Sequence, residues 1–297
     1  MDSDLERVGF VGLGAMGAPM AWNVEAADYD LGVYNRTDSR MEPFADAGVA
    51  TYDTPAALAA ESDAVVTMVT GPEALREVTL GEGGVVEGLD GGVLVDASTV
   101  SEDATEAVEG AVRTAGGRFV DAPVLGTVGP AEEGELLVLA GADHDVLTEV
   151  RPLVEVFGDV RRVGGVGDGT NMKLTTNLMI GVLMEGFSEA LAFAETQDLP
   201  LDEVLEVIRE GVVGAPLYDY KAPVVRERNF DPQFPVDHLF KDLDLILDAA
   251  GERAVPLPAT AATREAANAT RALGHGDEDM AALLRYFEDV TGRTVGE

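Results

Sequence analysis

Val8-Gly9-Phe10-Val11-Gly12-Leu13-Gly14-Ala15-Met16-Gly17 decides the fold of this chain. It reads as a short apolar strand running into a glycine-rich turn and then a helix. Gly12, Gly14 and Gly17 fit G-x-G-x-x-G, with one glycine for a tight turn, one for close approach of backbone to a pyrophosphate and one for helix packing. The N–H groups of Gly12, Leu13, Gly14, Ala15 and Met16 around the helix start then hold the anion. With 34 glycines in the chain the motif alone is weak. Its address, on the first strand of an alternating pattern, gives it weight.

Outward from that turn, apolar runs at Arg7–Val11, Leu31–Tyr34, Ala64–Val69, Val93–Asp96, Arg118–Asp121, Glu135–Ala140 and Val160–Val163 predict strands. Amphipathic stretches such as Pro55–Ala60 and Glu102–Ala115 lie between several of them. The alternation predicts an α/β domain of the Rossmann type: a mainly parallel, doubly wound sheet, with antiparallel pairing near its end. From Gly167 the pattern becomes helical: one long apolar stretch to about Gln197, then Asp202–Glu210, Asp237–Ala250, Pro258–Ala272 and Asp279–Thr291. The expected organisation is a dinucleotide-binding domain over residues 1–166 and an all-α domain over 167–297.

The second strand ends Tyr34-Asn35-Arg36-Thr37. A site for NAD usually places an acid here, on the ribose 2′-OH. Asn35 stands instead, and Arg36 and Thr37 suit a 2′-phosphate, so NADP(H) is expected over NAD(H).

The chain carries 55 acidic against 20 basic residues, a formal charge of −35. Such a field repels phosphate backbones and argues against nucleic-acid binding. Acids spread along the whole chain suit a halophilic protein of a salt-rich cytoplasm, because self-repulsion is screened within about 3 Å at 1 M salt. There are no cysteines, which excludes disulfides and thiolate chemistry. The start lacks the basic stretch of a signal peptide. The apolar run Leu178–Leu183 soon meets Glu185, too short for a membrane span. No metal-ligand spacing emerges, and a soluble cytoplasmic protein is expected.

Only three of the 20 basic residues are lysines: Lys173, Lys221 and Lys241. Lysine can exchange a proton near neutral pH where arginine cannot. Lys173 lies four residues before Asn177 in an apolar helical stretch, so both share a helix face. Ser98 and Thr99 follow a strand end, where doubly wound sheets meet their ligands; Ser101, ahead of Glu102 and Asp103, reads as a helix cap. Carbonyl reduction by a nicotinamide needs a proton donor. His144, His238 and His275 offer no clear competitor, which leaves Lys173 as the best donor.

Together these residues resemble the β-hydroxyacid dehydrogenase family. The marks are Gly12 through Gly17 with Met20, Ala21 and Asn23; Asp96 with Ser98 and Thr99; Ala122-Pro123-Val124; Gly169 through Lys173 to Asn177; and Lys241-Asp242-Leu243. The resemblance implies Lys173 as the catalytic acid/base and Asn177 as its substrate-binding neighbour. Ser98, Leu125, Gly126 and Thr127 would hold the substrate carboxylate. Thr99 and Lys241 would join Met68, Val69 and Thr70 around the cofactor. The usual Ser-Gly-Gly or Ser-Gly-Ser loop reads Leu125-Gly126-Thr127 here, which loses a hydroxyl.

Asn35-Arg36-Thr37, Gly129 through Leu136 and Phe240 through Leu243 look most like the glyoxylate/succinic semialdehyde reductase branch. The expected substrate is a small carboxylate-bearing aldehyde or hydroxy acid. NAD-linked 3-hydroxyisobutyrate oxidation is the rival within the class, and a redox-silent dinucleotide-binding module the rival outside it. The long helix from Gly167, apolar on more than one face, predicts a homodimer or homotetramer.

Overall fold

The computed structural model describes residues 5–296, which divide into two compact units, one up to Lys173 and one from Leu174. In the first unit the chain runs β1 (Arg7–Val11), α1 (Gly17–Ala26), β2 (Asp30–Tyr34), α2 (Glu42–Asp46), β3 (Ala50–Thr51), α3 (Pro55–Ala60), β4 (Ala64–Thr67), α4 (Pro72–Leu80) and α5 (Val85–Gly88). It continues β5 (Val93–Asp96), α6 (Glu102–Thr114), β6 (Arg118–Asp121), β7 (Val124–Leu125), α7 (Val128–Glu133), β8 (Leu136–Gly141), α8 (His144–Val154) and β9 (Gly158–Gly164). The strands form one sheet in the order β3-β2-β1-β4-β5-β6-β8-β7, with β9 also on β8. Pairing is parallel from β3 to β6, antiparallel where β8 meets β6 and β7, and parallel again between β8 and β9.

Alternate residues of the central strands feed two cores. Val8, Phe10, Val33, Val66, Val95 and Val120 pack on one face. Val11, Val65, Leu94 and Phe119 pack on the other. Strands buried on both faces read as continuous apolar runs, which is why they were visible in the sequence. The pairing also aligns the carboxyl ends in one row: Tyr34, Val11, Thr67, Asp96, Asp121 and Gly141 are successive register partners. Every loop of the candidate site in this unit leaves from that row or just beyond it.

Two details correct the expectations for this unit. Ala64–Val69 is a strand only to Thr67. Leu125 lies in a strand, not in a free loop: β6 and β7 pair with β8 in one register, Asp121 opposite Gly141 and Val124 opposite Val138. They are one bent strand interrupted at Ala122 and Pro123, because a proline has no N–H for the ladder.

The helix α9 (Asp168–Thr196) runs from the first unit into the second, where α10 (Leu201–Glu210), α11 (Pro216–Glu227), α12 (Val236–Glu252), α13 (Pro258–Ala272) and α14 (Leu283–Thr291) follow. Leu174, Met184, Phe187 and Leu191 of α9 join Leu205, Val225, Leu239, Leu243, Ala267 and Leu284 in a separate core. By length and composition α9 could cross a membrane, but half of its most apolar window is buried inside the protein, as in a core helix. The helix expected from Asp279 begins after it: Asp279 is a fully buried cap whose carboxylate accepts the Ala281 N–H. Both its oxygens also take Lys221 Nζ at 2.9 Å. The third lysine is therefore structural, a buried charge held by its partner.

Glu185 is the costly group of α9. Burial, aided by the Glu189 charge, pushes its carboxyl from 4.5 up to about 8, and its Oε2 has no hydrogen-bond partner among the described residues. A group whose folded pKa is raised favours folding fully below its unfolded value and loses that contribution as pH rises through the folded one. Glu185→Gln should therefore be matched in melting temperature with wild type at about pH 4 and exceed it increasingly toward about pH 9. A difference that does not grow with pH contradicts the assignment.

Candidate active site

The glycine turn is built by contact. Gly12 has φ +101° and a Cβ there would lie 2.3 Å from the Met68 carbonyl oxygen; one on Gly17 would lie 1.9 Å from the Gly12 oxygen. A Cβ on Gly14 would meet nothing within 4 Å. Gly12 and Gly17 thus let the chain close on itself, while exposed Gly14 faces open space that a pyrophosphate can approach. No side chain caps α1, and no acid lies in its first turn. In a chain with 55 acids this leaves the positive end of α1 uncompensated, as an anion site requires. The residues fit a dinucleotide.

Asn35 braces this turn: its Oδ1 accepts the Leu13 N–H at 2.9 Å and its Nδ2 donates to the Thr37 carbonyl at 3.0 Å. Both ends of the amide are engaged within the protein, so Asn35 holds the turn to the loop after β2. Arg36 is 80% exposed, 3.5 Å from Glu77 in a pair that solvent screens, and Thr37 is exposed. Arg40, which the sequence reading passed over, reaches the Leu13 carbonyl at 3.3 Å. Its signal was its place in the same loop, four residues after Arg36.

Further along the row, Met68 and Val69 are partly buried and Thr70 is exposed. Val69 N–H donates to Ser98 Oγ at 2.9 Å. Thr67 Oγ1 and the Ser98 N–H both donate to Asp96 Oδ1, at 2.8 and 3.2 Å. Burial pushes the Asp96 carboxyl up, against the hydrogen bonds from Ser98 and Thr67. Ser98, 1% exposed, is thus a brace between two strand ends in this structure, and Thr99 beside it is partly buried. Ser101 sits at the N-cap of α6, yet its hydroxyl makes no capping bond.

Lys173, in the second turn of α9, is partly buried and donates from Nζ to the Val124 carbonyl at 2.8 Å. Beyond Val124, Leu125 is partly buried opposite Leu137 of β8. Gly126 has φ +140°, and a Cβ there would lie 2.5 Å from Leu136 Cδ2, so only glycine fits. Thr127 is the extended residue ahead of α7. In the second unit Asn177, 3% exposed, donates from Nδ2 to Asp242 Oδ2 at 2.6 Å. Lys241 Nζ lies 2.9 Å from Asp242 Oδ1. Asp242 therefore ties two expected site residues to each other. It was quoted within Lys241-Asp242-Leu243, but its role was not legible without the Asn177 contact.

Chemically, an amine carried on a helix and hydrogen-bonded to the Val124 carbonyl can deliver a proton. Comparison with known proteins agrees with a nicotinamide-linked chemistry. Residues 7–167 match the family described as the NAD binding domain of 6-phosphogluconate dehydrogenase, and residues 167–287 match the NAD-binding domain of NADP-dependent 3-hydroxyisobutyrate dehydrogenase. Glyoxylate/succinic semialdehyde reductase 1 of Arabidopsis thaliana is 35% identical over 94% of this chain and 97% of its own length. The 2-(hydroxymethyl)glutarate dehydrogenase of Eubacterium barkeri is 32% identical, covering 97% of each. A Mycobacterium tuberculosis 3-hydroxyisobutyrate dehydrogenase solved with L-serine superposes with a TM-score of 0.87 at 25% identity, over 95% of this chain and 98% of that one.

Proposed function

The chain belongs to the β-hydroxyacid dehydrogenase family, NAD(P)-dependent oxidoreductases acting on CH–OH groups, and within it we propose an NADPH-dependent reductase of small carboxylate-bearing aldehydes. Glyoxylate and succinic semialdehyde are the first candidates, from the name of the Arabidopsis relative. The observation that carries the reading is Lys173, in the second turn of α9 and hydrogen-bonded to the Val124 carbonyl.

When bound, the nicotinamide supplies or takes up the hydride. The chain's own residues handle the rest. Lys173 Nζ gives a proton to the carbonyl oxygen as negative charge develops there, and in oxidation its neutral form accepts the hydroxyl proton. Asn177, with its amide fixed on Asp242, orients the substrate one helical turn along α9. Gly126 and Thr127 offer backbone N–H groups to the substrate carboxylate. Leu125, in place of the family's serine, makes that end of the pocket more apolar and shapes which acid it accepts.

Arg36 and Arg40 on the loop after β2 favour NADPH over NADH, since each can pair with a 2′-phosphate. The lysine argues against a redox-silent binding module, and the charge of −35 against a nucleic-acid partner. The same charge suits a salt-rich cytoplasm. A homo-oligomer is favoured by exposed Met172, Met179 and Phe193 along α9 and exposed Val212 and Val213 beyond α10.

Lys173→Ala should lower kcat for glyoxylate or succinic semialdehyde by about 10²–10⁴-fold, the range for a lost general acid, while NADPH still quenches or enhances fluorescence on binding. Retained turnover contradicts the role of the lysine. Arg36→Ala should raise the KM for NADPH by about tenfold, equivalent to one charge-assisted hydrogen bond of about 1.4 kcal/mol, and leave that for NADH unchanged. Equal effects on both cofactors contradict the NADPH preference.

A further inference from the structure

Asp121 ends β6 as a buried carboxylate with no cation on it among the hydrogen bonds and ion pairs of the described residues. Its Oδ1 accepts the Gly167 N–H at 2.9 Å; its Oδ2 accepts the Thr170 N–H at 2.8 Å and the Thr170 hydroxyl at 3.2 Å. These donors bracket the start of α9, the helix that carries Lys173 three residues after Thr170. The Thr170 hydroxyl is in turn 3.0 Å from Thr105 Oγ1 of α6, and Asn171 Nδ2 donates to Glu102 at 3.1 Å. The helix start is thus tied to two neighbouring elements through side chains.

The packing around Asp121 leaves no slack. A Cβ on Gly141 would lie 2.4 Å from Asp121 Oδ1, and one on Gly169 would lie 2.8 Å from Oδ2 and 2.4 Å from the Leu139 carbonyl. Two glycines, one on β8 and one in α9, let the helix start seat directly on the strand end. Three residues beyond Asp121, on the same bent strand, the Val124 carbonyl receives the Lys173 amine. That segment is itself pinned on both sides: Ala122 N–H donates to the Asp96 carbonyl at 2.7 Å and Leu139 N–H to the Pro123 carbonyl at 2.9 Å. One short stretch of chain therefore holds both the base of the helix and the tip of its lysine.

We propose that Asp121 is the positioning residue for Lys173: by taking the Gly167 and Thr170 donors it fixes the register of α9 against the β6–β7 strand, and so where the lysine amine is delivered. This rests on Lys173 being the proton donor. A carboxylate suits the task because three donors converge on two oxygens, and an amide would present an N–H to one of them. Its negative charge also complements the helix start. The arrangement is costly: burial pushes the Asp121 carboxyl up to about 7, against the hydrogen bonds from Thr170 and Gly167. A group kept only to stop a helix does not need that cost, since a shorter neutral side chain can cap.

The test compares wild type with Asp121→Asn in the full chain at high salt. Expected are a kcat lowered by about 10–100-fold, as for a misplacement of about 1 Å, with the KM for NADPH unchanged and the melting temperature lowered only as far as one lost buried hydrogen bond requires. Lys173 should also change its rate of trace acetylation, read by mass spectrometry, while Lys241 keeps its own. Unchanged kcat and unchanged Lys173 labelling overturn the proposal, as does a kcat loss matched by equal losses in NADPH affinity and stability. If Asp121→Asn does not fold, Thr170→Val carries the test: a smaller kcat loss with changed Lys173 labelling supports it, and wild-type values of both overturn it. The labelling needs no turnover, so a failure of Asp121 to act on Lys173 is separable from a failure of Lys173 to act as the acid.

Discussion

The start of α9 can sit on the carboxyl end of β6 only because Gly141 and Gly169 carry no side chain there. From that close approach the rest of the candidate site in the first unit follows. It lets Asp121 collect the first donors of the helix, sets Thr170 against Thr105, and brings Lys173 to the Val124 carbonyl. A methyl group at either glycine would collide with atoms that cannot yield, since most are backbone and the rest belong to a carboxylate held from two sides. Glycine here serves proximity rather than flexibility, unlike Gly12 and Gly126, whose positive φ demands it.

In a chain of −35, the first turn of α1 holds no acid, which leaves its positive end open to an anion. Where lysine is used it is placed against specific partners. Lys221 is buried on Asp279, which also takes the N–H groups of Gln233 and Phe234. Lys241 pairs with Asp242, and Lys173 donates to the Val124 carbonyl.

Much of the fold was readable in the sequence, for physical reasons that also mark its limits. Val93–Asp96 stood out because a strand buried on both faces is an unbroken apolar run, here closed by an acid. Pro55–Ala60 and Pro258–Ala272 stood out by their helical patterning, and each begins with a proline, which suits a first helical position. The helix Pro216–Glu227 was hidden by Pro223 inside it, and β3 and β7 by having two residues each. Lys173, Asn177 and the glycine turn were legible as residue types at local spacing. What held them was not. Asp121 finds Gly167 and Thr170 at separations of 46 and 49 residues, and Asp242 finds Asn177 at 65, distances across which periodicity carries no information. Ser98 is a like case: its type and strand-end address suggested a ligand contact, while its acceptance of the Val69 N–H, 29 residues away, was not legible.

The central claim is that the Lys173 amine delivers the proton. Its most direct test is chemical rescue of Lys173→Ala by primary alkylamines of graded size and acidity. If the amine is the acid, reduction rates rise with amine concentration, saturate for those small enough to fill the vacated side-chain volume, and follow the acidity of the alkylammonium ion. Rates that stay flat with every amine, or a variant already turning over as fast as wild type, would contradict it.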